Sequence, residues 1–219
     1  MPFDFESLVG YLYVVGGRSI STTPPGALVE VAPKKAARGR ETDTFFTLVL
    51  PSGDSTAAAS FYERMAKLAA ERYFASTGSV TAGLRDVFNT LNNNLVEENQ
   101  KAARPYEANI LCAVLRGTDL IVGRVGCAVA LVLANGKFQA FPENFQDDEA
   151  LYLPPLGIQP MPNIRMTQYH VNAGTRVVFG DASLAELDRD QIQNAMMSID
   201  MGAVLVGLKS LARLQATLM

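Results

Sequence analysis

Few side chains in this sequence are equipped for chemistry, and their types narrow it quickly. His170 is the single histidine, so any mechanism that needs two imidazoles is excluded. The two cysteines, Cys112 and Cys127, lie inside apolar, strand-like runs. Neither belongs to a CxxC pair and no histidines accompany them, so neither a zinc site nor a disulfide framework is supported. A thiolate nucleophile at Cys127 would need an activating base, and His170 is the sole candidate. The positions favour instead two small buried side chains. There is no Ser/His/Asp order, no P-loop and no dinucleotide fingerprint. The one basic cluster, Lys34-Lys35-Ala36-Ala37-Arg38-Gly39-Arg40, is short and reads as a solvated loop.

The rest of the composition bounds the class of protein. With 219 residues, 48% of them apolar and 19% charged, the chain can bury a substantial core and is globular. A formal charge of −3 and a pI near 5.3 argue against a nucleic-acid partner, which usually meets a basic face. The longest uncharged apolar runs, residues 8–15 and 201–208, fall far below the ~20 residues of a membrane span. With no leader-like segment, a cytoplasmic setting is expected.

The elements that must position any site are legible as periodic runs. Residues 106–141 read as a four-strand meander: 109–115, 120–125, 128–134 and 137–141, with Asn135-Gly136 as a type I′ hairpin turn. Gly126-Cys127-Ala128 interrupts it, and a glycine there marks a bulge or a close approach. Earlier strands are expected at 8–15, 27–31 and 43–50, the last ended by Pro51-Ser52-Gly53-Asp54. Two helices follow, over 55–75 with Asp54 or Ser55 as cap and over 79–100, where Asn92-Asn93-Asn94 reads as a solvated face. Residues 166–171 and 175–179 read as an antiparallel pair turned at 172–174. Helices then begin near Asp188 and Asp200, and residues 215–219 form a last strand.

That order, and several local motifs, resemble the type 2C metal-dependent protein serine/threonine phosphatases over roughly residues 27–219. The resemblance implies an α+β fold, an αββα sandwich of two antiparallel sheets flanked by two helix pairs. The family's Arg-x-x-Asn-Glu-Asp motif is similar to Arg38-Gly39-Arg40-Glu41-Thr42-Asp43. Its Asp-Gly-x-Gly-Gly resembles Leu50-Pro51-Ser52-Gly53-Asp54, its Val-Gly-Asp-Ser-Arg resembles Val125-Gly126-Cys127-Ala128-Val129, and its Ser-Asp-Gly-Leu resembles Asp181-Ala182-Ser183-Leu184. The closing Asp-Asn-x-Thr resembles Leu214-Gln215-Ala216-Thr217. The resemblance thus puts Asp43, Leu50, Ala182 and Leu214 at metal-binding positions. Mg²⁺ and Mn²⁺ require hard oxygen ligands, mostly carboxylate, and one carboxylate cannot hold two ions.

Two functions compete on these residues. The first is a catalytically inactive, phosphatase-like module, with no metal or other cofactor, that binds a protein partner or another domain of the same chain. The second is an active phosphatase with a rearranged Mn²⁺ or Mg²⁺ site, built from Asp43 with Asp54 or Asp181 and the basic side chains of Arg38 and Arg40. Residues 1–26 are expected to be an N-terminal extension or edge strand. The strand-like end at 215–219 suggests a domain cut from a longer polypeptide.

Overall fold

The computed structural model describes residues 5–53, 56–212 and 214–219. In chain order the elements begin with strands β1 (Leu12–Val15), β2 (Arg18–Ser19), β3 (Ala27–Val31) and β4 (Thr44–Ser52). Helices α1 (Ala59–Ala75) and α2 (Val80–Asn99) follow, then strands β5 (Glu107–Arg116), β6 (Asp119–Val125), β7 (Val129–Ala134) and β8 (Lys137–Phe141). A short helix α3 (Asp148–Leu151) precedes strands β9 (Arg165–His170) and β10 (Arg176–Gly180). A 3-10 turn (Ala182–Glu186), helices α4 (Arg189–Met196) and α5 (Met201–Leu211) and strand β11 (Gln215–Leu218) complete the order. The result is an α+β fold of two antiparallel sheets, each with a helix pair.

The chain divides into two compact units, the first holding Pro25–Cys127 and Tyr152–Val171. Its sheet has the order β3-β4-β5-β6-β9, antiparallel throughout. Side chains alternate across such a sheet. Phe45, Val49, Ile110, Cys112, Val114, Ile121 and Val125 share one core cluster with α1 and α2, while Phe46, Leu48, Leu50, Leu111 and Val122 alternate with them and are also buried. Burial on both faces explains the nearly unbroken apolar strands. Helix α2 buries Leu84, Val87, Phe88, Leu91 and Leu95 almost completely. At about 1.5–3 kcal/mol per large apolar side chain, that stripe outweighs the fractions of a kcal/mol by which each asparagine disfavours helix. Ser79 caps the helix, its hydroxyl accepting from the Ala82 amide at 3.1 Å. The polar run inside α2 is not one solvated face: Asn93 and Asn94 are exposed, but Asn92 is fully buried.

The second unit holds Phe5–Pro24, Ala128–Leu151 and Asn172–Met219, with the sheet order β2-β1-β11-β10-β7-β8. Val129, Leu131, Val178, Ala216 and Leu218 share a core cluster with Ile192, Met196, Val204 and Leu208 of α4 and α5. Asp188 and Asp200 cap these helices, accepting from the Gln191 and Ala203 amides at 2.9 and 2.8 Å. β1 lies inside this sheet, paired with β11 on one side and β2 on the other, and β2 and β8 are its edges.

Two strand groupings expected from turn signals are corrected. Residues 106–141 do not form one meander, since β5 and β6 belong to the first sheet and β7 and β8 to the second. Likewise β9 pairs with β6 and β10 with β7 and β11, so no hairpin turns at residues 172–174. Glycine and asparagine mark where the chain bends but carry no information about which strand the next segment joins. The Asn135-Gly136 turn stands as expected, with φ of 51° and 73° and Ala134 opposite Lys137. β4 also outruns its expected end, because Pro51 stays in register with Ala108. The missing proline N–H would point past the start of β3, the side to which the Val49 amide donates (to Gly26 O, 2.9 Å).

Candidate functional site

Three places on the fold hold the residues that sequence reasoning singled out. The first is the end of the first sheet where β4 begins. Asp43 directly precedes β4 and is fully buried, and Arg116 closes on it from the end of β5 in a bidentate fork, Nε to Oδ1 and Nη2 to Oδ2 at 2.6 Å each. Tyr73 of α1 donates its hydroxyl to Oδ2 at 2.5 Å. Burial, and then that bond, push the Tyr73 phenol well above its ordinary pKa, so it remains a donor. Arg40, buried as completely as Asp43, stacks its guanidinium 4.3 Å from the centre of the Tyr73 ring. It donates to Tyr73 Oη at 2.8 Å, Ser79 O at 2.9 Å and Ser76 O at 3.3 Å, fastening the turn between the two helices.

The basic cluster is therefore not a uniform solvated loop. Arg38 is exposed, whereas Arg40, two residues on, is a buried anchor. The sequence carried a faint signal of this in the Arg40/Asp43 spacing. Nothing local announced Tyr73 or Arg116, which lie 30 and 73 residues from Asp43. Arg38→Ala should leave stability within about 0.5 kcal/mol of wild type in thermal unfolding, as expected of a solvated side chain.

The second place is the opposite end of the same sheet. Leu50 is buried there, opposite Asn109 of β5. Asp43, just before β4, and Leu50, within it, are seven positions apart, which at the strand rise is roughly 23 Å. The structure does not bring them together, and no pair of bridged ions could span them. Asn109 accepts from the Cys127 amide at 3.0 Å and donates to Pro51 O at 3.3 Å. Glu107, unremarked in the sequence, brings a carboxylate to this motif: a Cβ on Gly53 would stand 2.8 Å from its Oε2. Asp54 lies outside the described residues. Cys112 is sealed in the core, its thiol pushed up to about 12 by burial. Cys127 is half-buried, with Sγ 4.0 Å from Leu153 O, and burial raises its pKa more than nearby Arg124 lowers it. His170, the base that a Cys127 thiolate would need, lies at the other end of β6, its Nδ1 3.9 Å from Asp119.

The third place is in the second unit. Asp181 follows β10 and caps the 3-10 turn, Oδ1 accepting from the Ser183 amide (3.0 Å) and hydroxyl, while Oδ2 accepts from the Thr217 amide at 2.8 Å. Ala182 packs on the unit's core. Leu214 is 73% exposed just before β11, its carbonyl accepting from the Gly17 amide at 2.9 Å.

No protein-family model matches this sequence, and no curated protein matches it. Solved structures do. Stp1, a serine/threonine phosphatase from Staphylococcus aureus, is 11% identical, with 99% of this chain and 95% of that one covered and a TM-score of 0.67. PppA of Pseudomonas aeruginosa, described as a key regulatory component of T6SS, is 13% identical, covering 95% and 94%, with a TM-score of 0.66. The catalytic domain of the serine/threonine protein phosphatase PstP, in complex with 2 manganese ions, is 13% identical, covering 95% of each chain, with a TM-score of 0.62. The chain thus has the fold of the metal-dependent serine/threonine phosphatases, as its motif order suggests, and at this identity the likeness extends to the fold alone.

Among the described residues, no three His, Cys, Asp or Glu side chains come together. Asp43 and Asp181 already accept hydrogen bonds at both carboxylate oxygens. Among the same residues, no helix is long and apolar enough to cross a membrane.

Proposed function

We propose that this chain is a catalytically inactive relative on the phosphatase fold, working in the cytoplasm as a regulatory module that binds a protein partner or another domain of its own polypeptide. The observation that carries this reading is the engagement of Asp43. The carboxylate that sequence alone offers as a metal ligand is held by Arg116 and Tyr73 at the end of β4 away from Leu50. Phosphoryl transfer on this fold needs a metal-activated water and two ions to neutralise the developing charge. With leucine at positions 50 and 214 and alanine at 182, the chain lacks ligands for that role. A regulatory role also suits PppA, a structural neighbour described in those terms.

The test is hydrolysis of an aryl phosphate and a phosphothreonine peptide with Mn²⁺, beside a calorimetric titration of the ion. The expected result is no turnover and no stoichiometric Mn²⁺ binding. Leu50→Asp alone should remain inactive, because positions 182 and 214 still supply no carboxylate. Mn²⁺-dependent turnover that vanishes in Asp54→Asn or Asp181→Asn would overturn the reading in favour of the rearranged-site enzyme. In that case Arg38 would be the exposed guanidinium available to a phosphate.

A further inference from the structure

The segment by which the chain returns to the first unit, residues 152–163, is attached in an unusual way. Leu156 is fully buried in the core cluster and exchanges two backbone hydrogen bonds with Ala108, Leu156 N to Ala108 O at 2.9 Å and Ala108 N to Leu156 O at 3.4 Å. It thereby occupies the place beside β5 that β6 leaves after Val125, which is opposite Ile110. Gly157, with φ of 93°, turns the chain against α2, where a Cβ would stand 2.8 Å from Leu95 Cγ and 2.9 Å from Asn99 Nδ2. Two asparagines of α2 then hold the backbone. Asn92 accepts from the Gly157 amide at 3.1 Å and donates to Gln159 O at 2.8 Å and Pro160 O at 3.3 Å. Asn99 donates to Gly157 O at 3.2 Å and also secures Tyr106 through its amide and carbonyl.

Beyond Leu156 the segment adds little apolar burial, since Tyr152, Ile158 and Met161 are 58%, 51% and 82% exposed. It runs beside Ala108, next to Asn109 at this end of β5, and Leu153 O faces the Cys127 thiol. We propose that residues 153–160 form a latched strap over this end of the first sheet. One apolar plug and the Asn92/Asn99 clamp hold it, and it opens as a unit without unfolding the sheet beneath. Elements with few apolar contacts and solvent-exposed edges open at lower free energy than the core. Here the polar clamp supplies most of the closing interactions. Opening would uncover the Ala108 backbone, the seat of Leu156 and Cys127 in one step, leaving an extended slot at the sheet end. The strap stands whether or not the phosphatase fold is active in this chain.

Native-state hydrogen exchange tests it, with Asn92→Ala against wild type. Asn92 bonds the Gly157 amide but not the Leu156 amide, which distinguishes a unit from a single lost bond. If the strap opens as one, both amides exchange roughly ten- to a hundredfold faster in Asn92→Ala, as expected when a buried side chain with three hydrogen bonds is removed. Cys127 then labels faster with a thiol reagent, while Cys112 and the amides of Leu48 and Leu111 stay protected. Acceleration at Gly157 alone overturns the proposal, as does exchange at Leu156 that rises only in step with Leu48. Should Asn92→Ala fail to fold, wild type decides. Leu156 and Gly157 amides sharing one opening free energy below that of β4 and β5 sustain the strap, and exchange only through global unfolding overturns it.

Discussion

Asp43→Ala is expected to destabilise the protein by about 3 kcal/mol, the order found when one partner of a buried ion pair is removed. The substitution removes the acceptor for both branches of the Arg116 fork and for the Tyr73 hydroxyl, and leaves Arg40 buried without the carboxylate 3.8 Å from its Nη1. Arg40 keeps its carbonyl partners at Ser76 and Ser79, and the Arg116 side chain, 36% exposed, can turn to water, which places the cost at the lower end of the 3–5 kcal/mol typical of such pairs. For a chain of this size each kcal/mol lowers Tm by about 2–4 °C, so a fall of roughly 10 °C is expected. Arg116→Ala should cost less, because it leaves Tyr73 and Arg40 beside the carboxylate. A melting temperature for Asp43→Ala within a degree or two of wild type would mean the network contributes nothing. The result bears on activity assays too: loss of a function in Asp43→Ala would report damage to the fold and not the removal of a metal ligand.

Asp43 also shows what the sequence could and could not disclose. Its resemblance to the family's Arg-x-x-Asn-Glu-Asp motif implied a phosphate-and-metal role for Arg38 and Asp43, and the residues do lie on one loop. What decided its role was Tyr73 on α1 and Arg116 on β5, and no local pattern links residues so far apart in the chain. Periodicity did better, because it is a local property. The apolar stripes of α1 and α2, the cap at Asp188, the helix start near Asp200 and the Asn135-Gly136 turn formed where the sequence placed them, whereas α1 begins at Ala59 behind Ala58, which offers no side-chain cap, later than the expected start at Asp54 or Ser55. The order of elements and the α+β class followed from those.

Sheet membership was the part that escaped. Strands β6 and β7 are separated by three residues yet belong to different sheets, and β9 and β10, five residues apart, do likewise. β6 and β7 are both mostly apolar, so nothing in their composition distinguishes crossing over from turning back. Asn92 escaped for a related reason. An asparagine mid-helix is normally solvated, and its burial is intelligible only once Gly157, Gln159 and Pro160 lie against it.

Gly126 is the residue at which the crossing from the first sheet begins, and it yields the second large expected effect. Its φ is 79°, a region that costs a β-branched residue about 1–3 kcal/mol. Its surroundings add a steric term, since a Cβ would stand 2.1 Å from Asn109 Oδ1 and 3.2 Å from Asn109 Cα. Asn109 cannot swing aside without giving up its bonds to the Cys127 amide and Pro51 O, and one such buried bond is worth about 1 kcal/mol. Gly126→Val should therefore lose at least ~3 kcal/mol in denaturant unfolding, with Gly126→Ala close behind because the φ and the first carbon are already at fault. Cys127→Ser, one residue on, should stay within about 1 kcal/mol: the amide that bonds Asn109 is untouched, and the half-buried side chain changes little in size. Asn109→Ala separates the two terms. In that background the clash is relieved, and Gly126→Val should lose only the conformational part, so the two substitutions will be less than additive. Strict additivity would show that Asn109 does not confine Gly126, and equal small effects of Gly126→Val and Cys127→Ser would show that the chain does not need its left-handed bend to leave β6.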